Sequence, residues 1–355
     1  MITQQDVLEG LRAVVHPETG ENIVDGGIVT SVAVAADDNR VDIVLTFRKA
    51  KDPFAARIER SIREAVAASD PHAEVNITVA GHRAAASQQQ AARTTFTDGV
   101  RNIIAVASGK GGVGKSTVTA NLAAALRDKG FRVGVLDADL YGPSQPKMFG
   151  CEGAAPAAER IDGTDAILPV EVQGIRLMSL GFFVADDDAM LWRGPMATSA
   201  LRQLIHQTRW GELDFLLIDL PPGTGDVHLS LVSELKLDGA VIVSTPQQVA
   251  VADVIRGVSM FKNPSVNVPV LGIIENMAWF TPAELPQNRY YIFGRGGAEK
   301  YAAEQGLELL GQIPLIQAVA ESSDNGTPIV SSDSEVAEYY SKIADKVVEK
   351  CDNKG

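Results

Sequence analysis

The sequence predicts an α/β protein. A mostly parallel, helix-covered sheet occupies residues 100–355, and a small α+β domain precedes it over residues 1–80. Three observations carry this expectation. From residue 100 onward, strand-length apolar runs alternate with helical patterns, as in a parallel sheet buried on both faces. Upstream, the periodicities change in the order α-β-β-α-β, which describes a separate mixed fold. Between the two, residues 81–99 contain Ala84-Ala85-Ala86-Ser87-Gln88-Gln89-Gln90-Ala91-Ala92, a stretch without a large apolar side chain that reads as a linker. A chain of 355 residues also suits two domains at ~100–200 residues each.

In the small domain, Thr3 and Asp6 form an N-cap pair for a helix running to about Val15. Val7, Leu8, Leu11, Val14 and Val15 share one face of it. His16-Pro17-Glu18-Thr19-Gly20 is a turn. Ile28–Val34 and Val41–Phe47, with Asp37-Asp38-Asn39 between them, give a hairpin signal. Phe54–Ala68 carries Ile58, Ile62 and Val66 at four-residue spacing, a second helix, and Val75, Ile77 and Val79 alternate as a third strand.

In the large domain the strand candidates are Asn102–Ala107, Arg132–Asp137, Ile175–Leu180, Phe215–Asp219, Ala240–Ser244, Val270–Glu275 and Glu308–Ile313. Near the end, Ser334–Lys350 places Val336, Tyr340, Ile343, Ala344 and Val347 on one helical face. It lacks Leu, Phe or Trp anchors and mixes Glu335, Glu338 and Asp345 with its lysines, so it reads as a docked core helix rather than a membrane foot.

The most specific motif is Gly109-Lys110-Gly111-Gly112-Val113-Gly114-Lys115-Ser116-Thr117, which fits G-x-x-x-x-G-K-S/T between a strand and the helix Ser116–Asp128. Glycines let backbone N–H groups turn inward around phosphate oxygens, and the following helix presents unpaired N–H groups and its positive end. Lys115 then neutralises β/γ-phosphates and Ser116 is placed to ligate Mg²⁺. Lys110 adds the second lysine of the deviant Walker A pattern, K-G-G-x-G-K-S/T, in which that lysine reaches across a dimer to the partner's nucleotide.

Two strand ends complete the expected site. Val133-Gly134-Val135-Leu136-Asp137-Ala138-Asp139 supplies Asp139 to orient the attacking water and Asp137 for the outer magnesium shell. Leu216-Leu217-Ile218-Asp219 ends in the expected Walker B carboxylate. The glycines of Asp219–Asp226 suit a segment that moves between nucleotide states. No Asn-Lys-x-Asp guanine reader follows the phosphate loop. Asn276 is positioned to bond an adenine edge, and Ile313-Pro314-Leu315 lines the base through Pro314, so ATP is preferred over GTP.

These residues resemble the Mrp/ApbC-type P-loop ATPases of the MinD/ParA superclass, described as iron–sulfur cluster carriers or assembly scaffolds. The likeness rests on Ser108–Thr117, on Asp137-Ala138-Asp139-Leu140-Tyr141-Gly142-Pro143-Ser144 and on Leu191-Trp192-Arg193-Gly194-Pro195-Met196. It continues through Asp219–Asp226, Glu275-Asn276-Met277, Phe293-Gly294-Arg295-Gly296-Gly297 and Asp324-Asn325-Gly326-Thr327-Pro328. Residues 1–80 are similar to the small domain often fused ahead of such ATPases, through His16-Pro17-Glu18 and Ile23-Val24-Asp25-Gly26-Gly27-Ile28-Val29. The resemblance implies a homodimer with iron–sulfur donor and acceptor partners, and a 4Fe–4S cluster shared between subunits through Cys-x-x-Cys. That interval here reads Thr281–Ile292 and holds no cysteine, and Lys51-Asp52-Pro53 stands where the small domain often has one. A positioning or scaffold ATPase without a cluster is the alternative.

Composition agrees with this reading. Asp and Glu outnumber Lys and Arg 45 to 32, a formal charge of −13, which disfavours a nucleic-acid coat. The two cysteines, Cys151 and Cys351, form no disulfide framework and fit a reducing compartment. Cys151 lies beyond the Asp139 loop, and Cys351 is expected in a polar tail. His72, His82, His206 and His228 are scattered and read as surface or satisfied histidines. With no membrane-length apolar run and no signal-like N-terminus, the expected location is the cytosol and no membrane partner is expected.

Overall fold

The computed structural model describes the chain except residues 1–3, 18–19, 36–39, 46, 48–51, 53, 71–72, 80–96, 98, 140–141, 162–163, 184–193, 225–227, 229–230, 233–234, 265, 283, 332–334 and 354–355. Most of the 81–99 linker, Thr3, Lys51, Pro53, His72, His82, Tyr141, Leu191-Trp192-Arg193 and Asp226 therefore lie outside the described residues. The chain divides into two compact units, residues 1–93 and 94–355.

In the first unit, α1 (Gln4–Arg12), β1 (Val29–Ala35), β2 (Arg40–Leu45), α2 (Ala55–Ser69) and β3 (Glu74–Val79) follow the expected order. The sheet runs β1-β2-β3, with β1 and β2 antiparallel and β2 and β3 parallel. Leu11, Ile23, Ile43, Leu45, Ile58 and Ile62 fill its core. The first helix is shorter than its pattern. It stops at Arg12, and Val15 instead pairs with Asn22 in an antiparallel bridge and is half exposed. Pro17 disfavours helical geometry at His16, so the apolar spacing of Val14 and Val15 does not extend the helix.

The second unit contains β4 (Val100–Ser108), α3 (Lys115–Asp128), β5 (Val133–Asp137), α4 (Gln145–Met148), β6 (Ala157–Ile161), β7 (Thr164–Leu168), β8 (Val170–Val172), β9 (Ile175–Ser179) and α5 (Gly194–Gln207). After them come β10 (Leu213–Asp219), β11 (Gly239–Ser244), α6 (Gln248–Lys262), β12 (Val270–Phe280), α7 (Gly297–Glu304), β13 (Leu309–Leu315), α8 (Gln317–Asp324) and α9 (Glu335–Asp352). Among the described residues the main sheet has the order β13-β12-β11-β4-β10-β5-β9-β8, parallel apart from the antiparallel edge strand β8. The period of two divides β4 cleanly. Ile103, Ala105 and Ala107 join one buried layer with Leu201 and Val254, while Ile104 and Val106 join the other with Leu122 and Tyr340.

Three features depart from the sequence expectation. β12 continues past Glu275 to Phe280, passing Met277 at φ 55° and an irregular register with β13. The β6–β7 hairpin and β8 were not anticipated, because Ala157-Ala158-Glu159-Arg160-Ile161 shows no alternation. Cys351 is not in a polar tail: α9 runs to Asp352, and Cys351 continues the buried face formed by Val336, Tyr340, Ile343, Ala344 and Val347. That face is spent on the sheet, as expected of a docked helix.

At the amino ends of the strands, opposite the end that carries the phosphate loop, Arg132 ties β5 to β10. Its backbone N–H donates to Asp214 at 2.9 Å, and its guanidinium grips both Asp214 oxygens at 3.1 and 3.2 Å. Hydrogen bonds from Arg132 hold the Asp214 carboxyl below its ordinary value. A lowered folded-state value stabilises the protein above about pH 4 and loses that effect as pH falls through it. Asp214→Asn is expected to lower Tm by a few degrees at neutral pH, with the gap from wild type narrowing as pH falls below the ordinary carboxylate range. Thermal melts across that range check this; a gap independent of pH would show that the ion pair is not its source.

Candidate functional site

Parallel pairing delivers the site residues to one end of the sheet. β10 lies between β4 and β5, with Asp219 in register with Val106 on one side and Asp137 on the other. Both carboxylates and the loop leaving Ser108 therefore emerge side by side, at the carboxyl ends of the strands where open α/β sheets bind ligands.

The loop backbone is held from several directions. Ser108 Oγ donates to the Lys110 carbonyl at 3.0 Å, and the Asn276 side-chain amide donates to the Val113 carbonyl at 2.8 Å. Gly114 sits at φ 80°, and a Cβ there would lie 2.3 Å from Asn276 Nδ2. Helix α3 follows with no side-chain cap on its N-terminus, so its first-turn N–H groups face the loop without a side-chain acceptor. Loop amides and an uncapped helix end together make an anion cradle.

A cation and three carboxylates meet beneath the loop. Lys115 Nζ is 2.5 Å from Asp219 Oδ1 and 3.9 Å from Asp139 Oδ2. Its other near neighbour is Ser116 Oγ at 3.3 Å. Asp219 is fully buried and also lies 3.1 Å from Thr119 Oγ1 and 2.9 Å from Gln145 Nε2. Asp137 is buried too, and accepts from the Gln145 N–H at 3.1 Å, the Ser179 hydroxyl at 3.0 Å and the Asp139 N–H at 3.2 Å. Burial, and then the charge of Asp219, push the Asp137 carboxyl above its ordinary value. A divalent cation placed among these oxygens would relieve that crowding, and the donor set of Ser116, Asp137 and Asp219 is the hard-oxygen chemistry magnesium takes.

The structure brings together Gly109 through Thr117, Asp137, Asp139 and Asp219. Asn276 lies at the same end of the sheet, in register with Ile313, which places Pro314 beside it. Asn276 carries a task the sequence reading did not assign: one amide N–H clamps the phosphate loop. Three further residues went unrecognised in the sequence. Thr119 stands four positions after Lys115, on the same helical face, and that spacing was a legible signal. Gln145 and Ser179 carried no such signal, because they reach the site from a short helix and a neighbouring strand. His228 is satisfied as expected, its Nε2 donating to the Pro221 carbonyl at 2.7 Å within the segment after Asp219.

The thiols do not suit an iron–sulfur cluster. Cys351 is buried in α9 against the sheet. Burial, with the charge of Glu152, pushes the Cys151 thiol up to about 11, away from the thiolate a cluster needs. Among the described residues no group of three or more His, Cys, Asp or Glu side chains is arranged to hold a metal ion by itself.

Residues 99–348 match the family model described as the NUBPL iron-transfer P-loop NTPase. This chain belongs to that family. Residues 4–79 match a second model, the iron–sulfur cluster assembly protein domain. Among its curated relatives, a protein named iron–sulfur cluster carrier protein from Synechocystis is 42% identical over 338 residues, covering 95% of this chain and 94% of its own. A protein of the same name from Escherichia coli K12 is 48% identical over 252 residues, covering 70% and 67%. A nucleotide-binding protein from Archaeoglobus fulgidus, solved in complex with ADP, is 39% identical with a TM-score of 0.60, covering 70% of this chain and 95% of its own. The Pyrococcus furiosus cell-division ATPase MinD, at 23% identity and a TM-score of 0.52 over 70% of this chain and 99% of its own, shares the fold. Among the described residues, no helix is long and apolar enough to cross a membrane.

Proposed function

We propose that this chain is a magnesium-dependent ATPase that acts as a homodimer in iron–sulfur cluster delivery, in the cytosol. The observation that carries the nucleotide reading is the uncapped start of α3, with Lys115 Nζ 3.3 Å from Ser116 Oγ and 2.5 Å from Asp219 Oδ1 beneath the glycine loop. The loop amides take phosphate oxygens, and Lys115 turns from Asp219 to the β/γ-phosphates. Ser116 Oγ and Asp219 hold magnesium, with Asp137 behind them, and the ion when bound neutralises charge on the phosphates. Asp139 orients the attacking water. Asn276 and Pro314 receive the adenine, and Lys110 crosses to the partner's nucleotide. The ADP named with the Archaeoglobus relative supports a nucleotide here.

The iron–sulfur role rests on the family and on the names of its relatives. The cluster is cargo in this reading. Without Cys-x-x-Cys, its ligands come from other residues or from a donor or acceptor protein, and neither nucleic acid nor membrane is a partner.

Lys110→Ala is expected to bind a fluorescent ATP analogue within about twofold of wild type, yet hydrolyse ATP at least ~100-fold more slowly, as when an arginine finger is removed. Unchanged turnover would eliminate the trans-lysine. For cargo, anaerobic reconstitution with iron and sulfide is expected to give cluster absorption or transfer to an apo-acceptor. The absence of both would remove the carrier role.

A further inference from the structure

Gln145 occupies the centre of the site without belonging to the phosphate-loop motif. Its side chain is fully buried. Nε2 donates to the Ser116 carbonyl at 3.0 Å and to Asp219 Oδ2 at 2.9 Å, while its backbone N–H donates to Asp137 Oδ2 at 3.1 Å. One residue thus touches both strand-end carboxylates and the peptide of the serine beside Lys115.

Both Nε2 partners are pure acceptors, so the amide has one permissible orientation. A flipped amide would set its oxygen against a carboxylate and a carbonyl. With the nitrogen so committed, Oε1 is left buried with no hydrogen-bond partner among the described residues. A buried amide oxygen in that condition costs about 1–3 kcal/mol, a cost that an apolar side chain of the same length would avoid. The missing partner must be a donor. The surrounding acidic groups are acceptors when ionised, whereas water bound to a divalent cation donates and does not accept.

We propose that Gln145 is a positioning residue for magnesium: its amide nitrogen holds Asp219 and the Ser116 peptide in place, and its Oε1 accepts from the ion's water shell. Held this way, Asp219 keeps one oxygen for Lys115 and Thr119 while the other is pinned by Gln145. The inference rests on the nucleotide reading above and assigns the residue through which the site distinguishes metal-bound from metal-free nucleotide.

The test uses the full chain, a fluorescent ADP analogue and MgCl₂. Affinity is measured in EDTA and in a magnesium titration, for wild type and for the shape-matched Gln145→Met, with folding checked by circular dichroism. The magnesium concentration at half-effect is expected to rise about tenfold, the scale of losing an outer-shell partner, beyond any change in the affinity measured in EDTA. A loss of structure alone would lower both affinities together. A wild-type magnesium midpoint in folded Gln145→Met overturns the assignment while leaving the nucleotide reading intact. If wild type binds the analogue equally with magnesium and EDTA, the metal reading itself fails and Gln145 with it. Gln145→Asn withdraws the same amide by one methylene and gives the same expected rise should the methionine variant not fold.

Discussion

Lys115→Ala is expected to abolish nucleotide binding and also to destabilise the large unit. Lys115 is 6% exposed and Asp219 is 0% exposed, and they meet at 2.5 Å. Asp139 and Asp137 stand close by, so the lysine is the nearest counter-charge to a group of carboxylates. Removing one partner of a buried pair leaves an uncompensated charge and costs about 3–5 kcal/mol. Loss of the ammonium also removes the cation proposed to neutralise β/γ-phosphates. The two effects separate in the double variant Lys115→Ala/Asp219→Asn, which also removes the carboxylate that Lys115 contacts directly. Its chemical denaturation midpoint should recover most of the loss, while binding of a fluorescent nucleotide stays absent. A single variant as stable as wild type would show that the pair contributes nothing to the fold.

Gly109→Ala is expected to cost about 1–3 kcal/mol as an overpacking change, and to displace the phosphate loop with it. A Cβ at Gly109 would lie 2.3–2.4 Å from the Asp253 carbonyl carbon, carbonyl oxygen and Cβ on α6. Two of those atoms are backbone in a helix and cannot swing away. Gly111→Ala is the matched control. Among the described residues its Cβ would meet only Pro222, at 3.9 Å, in ordinary van der Waals contact. Melting temperatures of the two variants should therefore differ by several degrees, Gly109→Ala being the lower. Equal melting temperatures would mean that α6 does not constrain the loop.

The same comparison shows where sequence reading succeeds and where it stops. Both glycines are motif positions, and backbone flexibility is reason enough for each. Only the packing of α6 against the first of them separates a forbidden side chain from a tolerated one. Asp137 and Asp219 were legible because each ends an apolar strand, and parallel strands present their carboxyl ends together. Gln145 was not legible, because its contacts span 29 residues to Ser116 and 74 to Asp219. No periodicity connects positions so far apart. Val15 shows the opposite error: its spacing suits a helix, but Pro17 and the pairing with Asn22 override it.

The sequence by itself determined the order α-β-β-α-β, the parallel sheet, the phosphate loop and the family. Each rests on local chemistry: hydrophobic period, glycine spacing, or a charged residue at a strand end. Tertiary structure alone decided that Lys115 pairs with Asp219, that Asn276 clamps the loop, that Cys351 is buried and that Gln145 bridges both carboxylates. Those facts depend on which strands become neighbours and on how far each side chain is removed from water, and both are set only when the chain closes on itself.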